Sequence, residues 1–150
     1  MAAIMRMPDV ASRLLMLAVM VRSLPGRPQF EAFAAAALRE VPGVAEARVH
    51  GQTVLERPAL ARGWTRYDLV SGCETFGFVD LRITDAGAFA PHSGDVQNVL
   101  NLLAHELERR ATLACLEEAH EALARRHEDL ERSIGDRDDA PPPMLRQSVR

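Results

Sequence analysis

Five histidines and two cysteines carry most of the chemistry open to this 150-residue chain. The histidines (His50, His92, His105, His120, His127) contain no H-x-x-x-H spacing, and Cys73 and Cys115 form no C-x-x-C pair, so no metal site is legible. His50, Trp64, Tyr67, Cys73 and His92 can be gathered on one side of a small sheet to line a pocket. Trp64 and Tyr67 would then be apolar walls with one polar tip each, and the two histidines donors or titrating groups. The plainer alternative puts both aromatics at the core edge and the histidines in turns facing water. Cys73, beside Gly72 in a turn, is the candidate redox thiol, but nothing basic adjoins it in sequence to favour the thiolate. No Gly-rich phosphate loop, nucleophile elbow or paired-carboxylate setting stands out, so no catalytic constellation is found.

A different chemistry, self-association, is written in the tail. Leu113, Leu116, Leu123, Leu130 and Ile134 fall on heptad a and d positions, with His120 and His127 as the remaining a residues. Glu118, Glu121, Arg125, Glu128, Asp129 and Arg132 occupy outer positions. A narrow apolar seam on a charged helix calls for a second helix, and another copy of the chain is the simplest supplier. His120 and His127 lie two turns apart, about 10 Å, too far to share one ion within a chain. In a parallel dimer each faces its symmetry mate. Neutral imidazoles can share a hydrogen bond there and protonated ones repel, so one expectation is a dimer that weakens as pH falls through about 6–7. The other is that polar a residues only set the register.

The elements that must position these residues are bounded by composition. One domain of this length buries roughly 70% of its unfolded surface, and 47% apolar residues supply a core. A net charge of -3 with interspersed basic residues shows no footprint for nucleic acid. The two cysteines read as reduced thiols of a cytoplasmic protein, with a single disulfide left open. The apolar run Leu14–Val21, behind Arg6 and Arg13, is too short to span a bilayer and precedes no small-x-small cleavage site.

Helical spacing marks Pro8–Ser23 (Val10, Leu14, Leu17, Ala18, Val21), with Asp9 in its first turn, and Pro28–Glu40, with Phe30, Phe33, Ala37, Leu38 and Val41 inward. Alternation then predicts strands: Ala45, Ala47 and Val49 inward, a hairpin at His50-Gly51-Gln52 into Thr53–Glu56, a strand over Trp64–Val70, and the strongest over Thr75–Ile83. Thr84–Gly94 reads as loop. From about Asp95 a helix continues unbroken to Gly135, with Val96, Leu100, Leu103, Leu107, Ala111 and Ala114 as its inner stripe. The tail seam is displaced from this stripe by about one residue, roughly 100°. The class is α+β: a small antiparallel sheet, N-terminal helices, and a long C-terminal helix extending into a coiled coil.

Three stretches carry a family resemblance. Phe30-Glu31-Ala32-Phe33 through Leu38–Ala45 looks like the second helix and first strand of GAF domains, the sensor domains of bacterial signalling proteins. Phe76-Gly77-Phe78-Val79-Asp80-Leu81 resembles the strand before their closing helix, and Phe89, Asp95, Leu100, Leu102, Leu103 and Ala104 their loop and terminal helix. The resemblance, GAF/PAS-like, covers about residues 10–112. It implies a sensor domain over 1–112, a coiled-coil signalling helix over 113–135, and a disordered tail or linker over 136–150 with Pro141–Pro143. It further implies a homodimeric module that relays a signal to an output partner such as a two-component sensor kinase, and the exposed tail reads as the front piece of a longer protein. Only Pro58–Gly63 stands where ligand-binding members insert a helix and long loops, so no large enclosed cofactor is expected; a small ligand or none fits better. Some GAF-like proteins reduce oxidised methionine, which makes a thiol-dependent reductase using Cys73 the enzymatic alternative; that chemistry needs a resolving thiol, and the one other cysteine, Cys115, sits well down the terminal helix, out of expected reach. A ligand-free dimerisation scaffold is the third. His105-Glu106-Leu107-Glu108-Arg109 is similar to the phospho-accepting helix of sensor kinases but lacks the proline that follows there, and a solvated helix histidine is expected.

Overall fold

The computed structural model describes residues 9–51 and 57–138. Helix α1 (Val10–Met20) starts where the Asp9 carboxylate accepts the Ser12 N–H at 2.8 Å. Asp9 is thus the N-cap rather than a first-turn residue, and it satisfies one of the amides every helix start leaves unpaired. A 3-10 turn over Val21–Ser23 ends the segment. Helix α2 (Arg27–Arg39) begins with Pro28 in its first turn, where a missing N–H costs nothing. Its Phe30, Ala34 and Leu38 are fully buried, while Phe33 and Ala37 pack at the margin. Burial of a side chain such as Phe30 or Leu38 contributes about 1.5–3 kcal/mol.

Three antiparallel strands follow: β1 (Val44–His50), β2 (Trp64–Ser71) and β3 (Glu74–Ile83), in the order β1-β3-β2. The last strand in sequence is therefore central. β2 and β3 are joined by the two-residue turn Gly72-Cys73, with Gly72 at φ 60°. Val49, Val79 and Tyr67 lie in register on the face toward the helices, as do Ala47, Leu81 and Thr65. His50, Phe78 and Asp68, then Arg48, Asp80 and Arg66, then Glu46, Arg82 and Trp64 form rows on the other face. Gly77 is required where β3 passes the end of β1, because a Cβ there would collide with the His50 carbonyl oxygen.

Four sequence expectations change. Ala45 is exposed and Val44 buried, because an irregularity between Val44 and Glu46 shifts the alternation by one residue. Thr84–Gly94 is not all loop: Asp85 caps a short helix α3 (Ala86–Phe89) by accepting the Ala88 N–H at 3.0 Å, a 3-10 turn covers Ala90–His92, and helix α4 (Ser93–Asp138) starts at once. Gly135 does not end α4, which continues to Asp138 over 46 residues. Finally, the buried stripe of α4 (Val96, Val99, Leu100, Leu103, Ala104, Leu107) stops before Ala111 and Ala114, which are exposed. The Thr53–Glu56 strand and the Pro141–Pro143 tail fall outside the described residues; β1's described partner is β3.

The chain divides into two compact units, Met1–Ala111 and Thr112–Arg150. The first holds the core described above. The described part of the second is the remainder of α4, whose Leu113, Leu116, Leu123, Leu130 and Ile134 are 45–66% exposed. Among the described residues no helix is long and apolar enough to cross a membrane.

Candidate functional site

The sheet does not bring the five expected pocket residues together. Tyr67 shares the helix-facing side with Val79 and packs on the core, whereas His50 and Trp64 lie on the opposite face. Strand alternation makes this unavoidable, since Trp64 and Tyr67 are three residues apart. On that outer face the aromatic surfaces are already occupied. The His50 ring lies 4.6 Å from Phe78, the Arg48 guanidinium sits 4.3 Å over Trp64, and Arg66 sits 4.1 Å over Phe78. Arg66 also grips Asp80 through two 2.7 Å hydrogen bonds and donates to the Pro58 carbonyl at 2.9 Å. Cys73 is exposed in the β2–β3 turn, and its thiol has no hydrogen-bond partner among the described residues. His92 is half-buried in the turn after α3. No group of three or more His, Cys, Asp or Glu side chains suited to a metal ion occurs among the described residues.

The chemistry that does converge lies at the junction of β2 and α4. Ser71, the last residue of β2 and only 5% exposed, places its Oγ 2.7 Å from His105 Nδ1 and 2.6 Å from Glu108 Oε2. His105 Nδ1 and Glu108 Oε2 are 3.4 Å apart. Helical spacing puts His105 and Glu108 on one face of α4. The proton count fixes the tautomer. Ser71 has one hydroxyl proton and Glu108 is ionised, so both short contacts hold a proton only if Nδ1 is protonated and donates to Ser71, which donates onward to Glu108. Hydrogen bonding from Ser71, then from His105, holds the Glu108 carboxyl below the ordinary range. In the neutral ring this leaves the Nε2 lone pair free, on a side chain 67% exposed.

The same imidazole lines a cleft of about 280 Å³ with Leu15, Val19, Arg22, Leu102, Glu106 and Arg109. Glu106 is buried beneath it and receives Arg109 at 2.7 and 2.9 Å and Arg110 at 2.9 Å. Arg110 reaches on to the Val21 and Leu24 carbonyls and lies 5.2 Å over Phe30. Burial pushes the Glu106 carboxyl up, but the hydrogen bonds from Arg109 and Arg110 outweigh it and the net shift is downward. A depressed carboxyl stabilises the fold above its unfolded pKa, about 4.3, and that contribution is lost as pH falls through the lower folded value. Glu106→Ala is expected to cost about 3 kcal/mol in urea denaturation at pH 7, the low end for a broken buried pair because Arg109 can turn to water. Glu106→Gln should flatten the acid limb of stability against pH; an unchanged limb would assign it to other carboxylates.

Sequence reasoning singled out His105 but missed Ser71, Glu108 and Glu106. Only the i, i+3 spacing of His105 and Glu108 was available as a signal; Ser71 is remote in sequence and reaches them through the sheet. Comparison with protein-family models, curated proteins and solved structures gives no match to this chain.

Proposed function

We propose that the chain is a homodimeric regulatory module of GAF-like type whose terminal helix pairs as a parallel coiled coil and relays the state of the sheet domain to an output partner, such as a sensor kinase in the cytoplasm. The observation that carries this reading is the row of exposed leucines on an unbroken helix: Leu113, Leu116, Leu123, Leu130 and Ile134 have no partner within the described chain. Each such side chain offers roughly 60–120 Å² to a partner. Five per chain, with the flanking stems, approach the roughly 800 Å² per partner of a stable interface.

Charge favours a second copy in parallel. With Leu113 at a, Arg126 falls at g and Glu131 at the following e, the opposite-sign g–e′ pair of a parallel dimer. An antiparallel pair would instead set e against e, Glu117 and Glu131 among them. His127 Nε2 lies 3.2 Å from Glu131 of its own helix, which supplies a counter-charge when the ring is protonated. Any acid repulsion therefore falls mainly on His120.

The test is disulfide trapping in a Cys73→Ser, Cys115→Ser background. Leu123→Cys should oxidise to a symmetric dimer, as parallel register requires, whereas monomer under oxidising conditions would end the dimer reading. Relay adds a second requirement: trapping efficiencies at Leu113, Leu116 and Leu123 should shift when the sheet domain is perturbed by Glu106→Gln. One invariant pattern would leave a scaffold.

A further inference from the structure

We propose that His105 is a phosphoryl-acceptor histidine, modified at Nε2 by a donor with a phosphorus–nitrogen bond. The site does not depend on dimerisation. Its parts are the nucleophile, the group that orients it, and the groups that receive the phosphoryl oxygens.

The nucleophile is the Nε2 lone pair of the neutral ring, which is free in the tautomer whose Nδ1–H is turned to Ser71 and Glu108. A carboxylate behind the ring does for this histidine what outer-shell carboxylates do for metal-bound ones: it fixes the tautomer and raises the basicity of the far nitrogen. In the transfer, the Nε2 lone pair forms the new N–P bond. The old P–N bonding pair departs on a nitrogen that is already protonated, so ammonia or an amine leaves and no further proton is needed. The imidazole becomes cationic as the bond forms, and that charge develops next to Ser71 and the ionised Glu108. Stabilisation present only as charge develops accelerates the step.

The cleft supplies the remainder. Arg22 enters it from the turn after α1 with no ion pair among the described residues, and Arg109 enters from α4. Two guanidiniums, Arg22 and Arg109, line the cleft against the one carboxylate of Glu106, which leaves a positive charge among the lining residues for an incoming phosphoryl group. Leu15, Val19 and Leu102 form an apolar lip for the uncharged part of a donor. The product adds roughly two negative charges where Arg109 now serves Glu106, so modification would compete for that arginine.

The other histidines lack this arrangement. His127 Nε2 faces Glu131 and His50 is stacked on Phe78.

The test incubates the full chain with potassium phosphoramidate beside N-acetylhistidine in the same solution, and reads acid-labile phosphorylation by intact mass and by peptide mapping at neutral pH. His105 is expected to be labelled first, about tenfold faster than N-acetylhistidine, with Glu108→Gln and Ser71→Ala each removing most of the advantage. Glu108 is half exposed, so Glu108→Gln keeps the test valid if Ser71→Ala unfolds. Labelling of His105 no faster than the free imidazole, or undiminished in Glu108→Gln, overturns the proposal. Either result leaves the dimer reading, which rests on trapping at Leu123, untouched.

Discussion

Leu123→Ala is expected to weaken self-association by about 10²–10⁴-fold, read by sedimentation equilibrium across a dilution series. The size follows from symmetry. Each copy loses a d-position side chain worth about 1.5–3 kcal/mol when buried, so the dimer loses roughly 3–6 kcal/mol, and each 1.4 kcal/mol is a decade in Kd. Leu123 is 66% exposed in the single chain, so the monomer has little to lose. The thermal transition of the Met1–Ala111 unit should therefore persist in the variant. Leu102, also exposed but on the sheet domain, is the control: Leu102→Ala should leave the association constant within a factor of a few. A dissociation constant unmoved by Leu123→Ala would place any self-association elsewhere on the molecule.

The second large effect concerns the outer face of the sheet. Arg66 and Asp80 have side chains 15% and 10% exposed, and the bidentate pair is their main compensation for leaving water. Arg66→Met strands the Asp80 carboxylate on a largely dry surface, and the expected loss is about 3–5 kcal/mol by urea denaturation. Arg66→Met with Asp80→Leu removes the stranded charge and should recover most of that loss, since an apolar pair of similar volume is often no worse than the ion pair it replaces. The double variant should also retain the β2–β3 register, because Val79, Leu81 and Leu69 on the opposite face are unchanged. A single variant as stable as the parent would mean that Asp80 finds water despite its burial.

What the sequence disclosed and what it hid divide along physical lines. Periodic features were legible: Leu14 and Leu17 on α1, Val21 in the turn after it, Phe30 and Leu38 on α2, and Val96, Leu100, Leu103 and Leu107 on α4 all lie buried where spacing put them. Features set by one hydrogen bond or one extra residue were not. The shift at Val44/Glu46 reversed Ala45, and a single Asp85 carboxylate turned an expected loop into α3. The α4 stripe was drawn too long because periodicity does not say where the partner surface ends. Arg110 marks that end by taking the Val21 and Leu24 carbonyls. The pocket expected around Trp64 and Tyr67 is excluded by strand parity, because residues three apart on one strand point to opposite faces. The Ser71–His105–Glu108 cluster depends on which strand end lies beside which helical turn, and no local pattern encodes that.

The strand order has a consequence for biosynthesis. β3 lies between β1 and β2, yet it is the last of the three to leave the ribosome. The groups of β1 that pair with β3 therefore emerge without their partner and wait until Ile83 has been made. β2 needs no such wait, because the two-residue turn at Gly72-Cys73 zips it to β3 as soon as both exist. Closure over the longer span to β1 carries the larger entropic cost and comes last. Translation pauses just after β1 would lengthen the interval in which a nascent chain presents an open strand edge, so slower synonymous codons between His50 and Glu74 are expected to lower the yield of native protein per message.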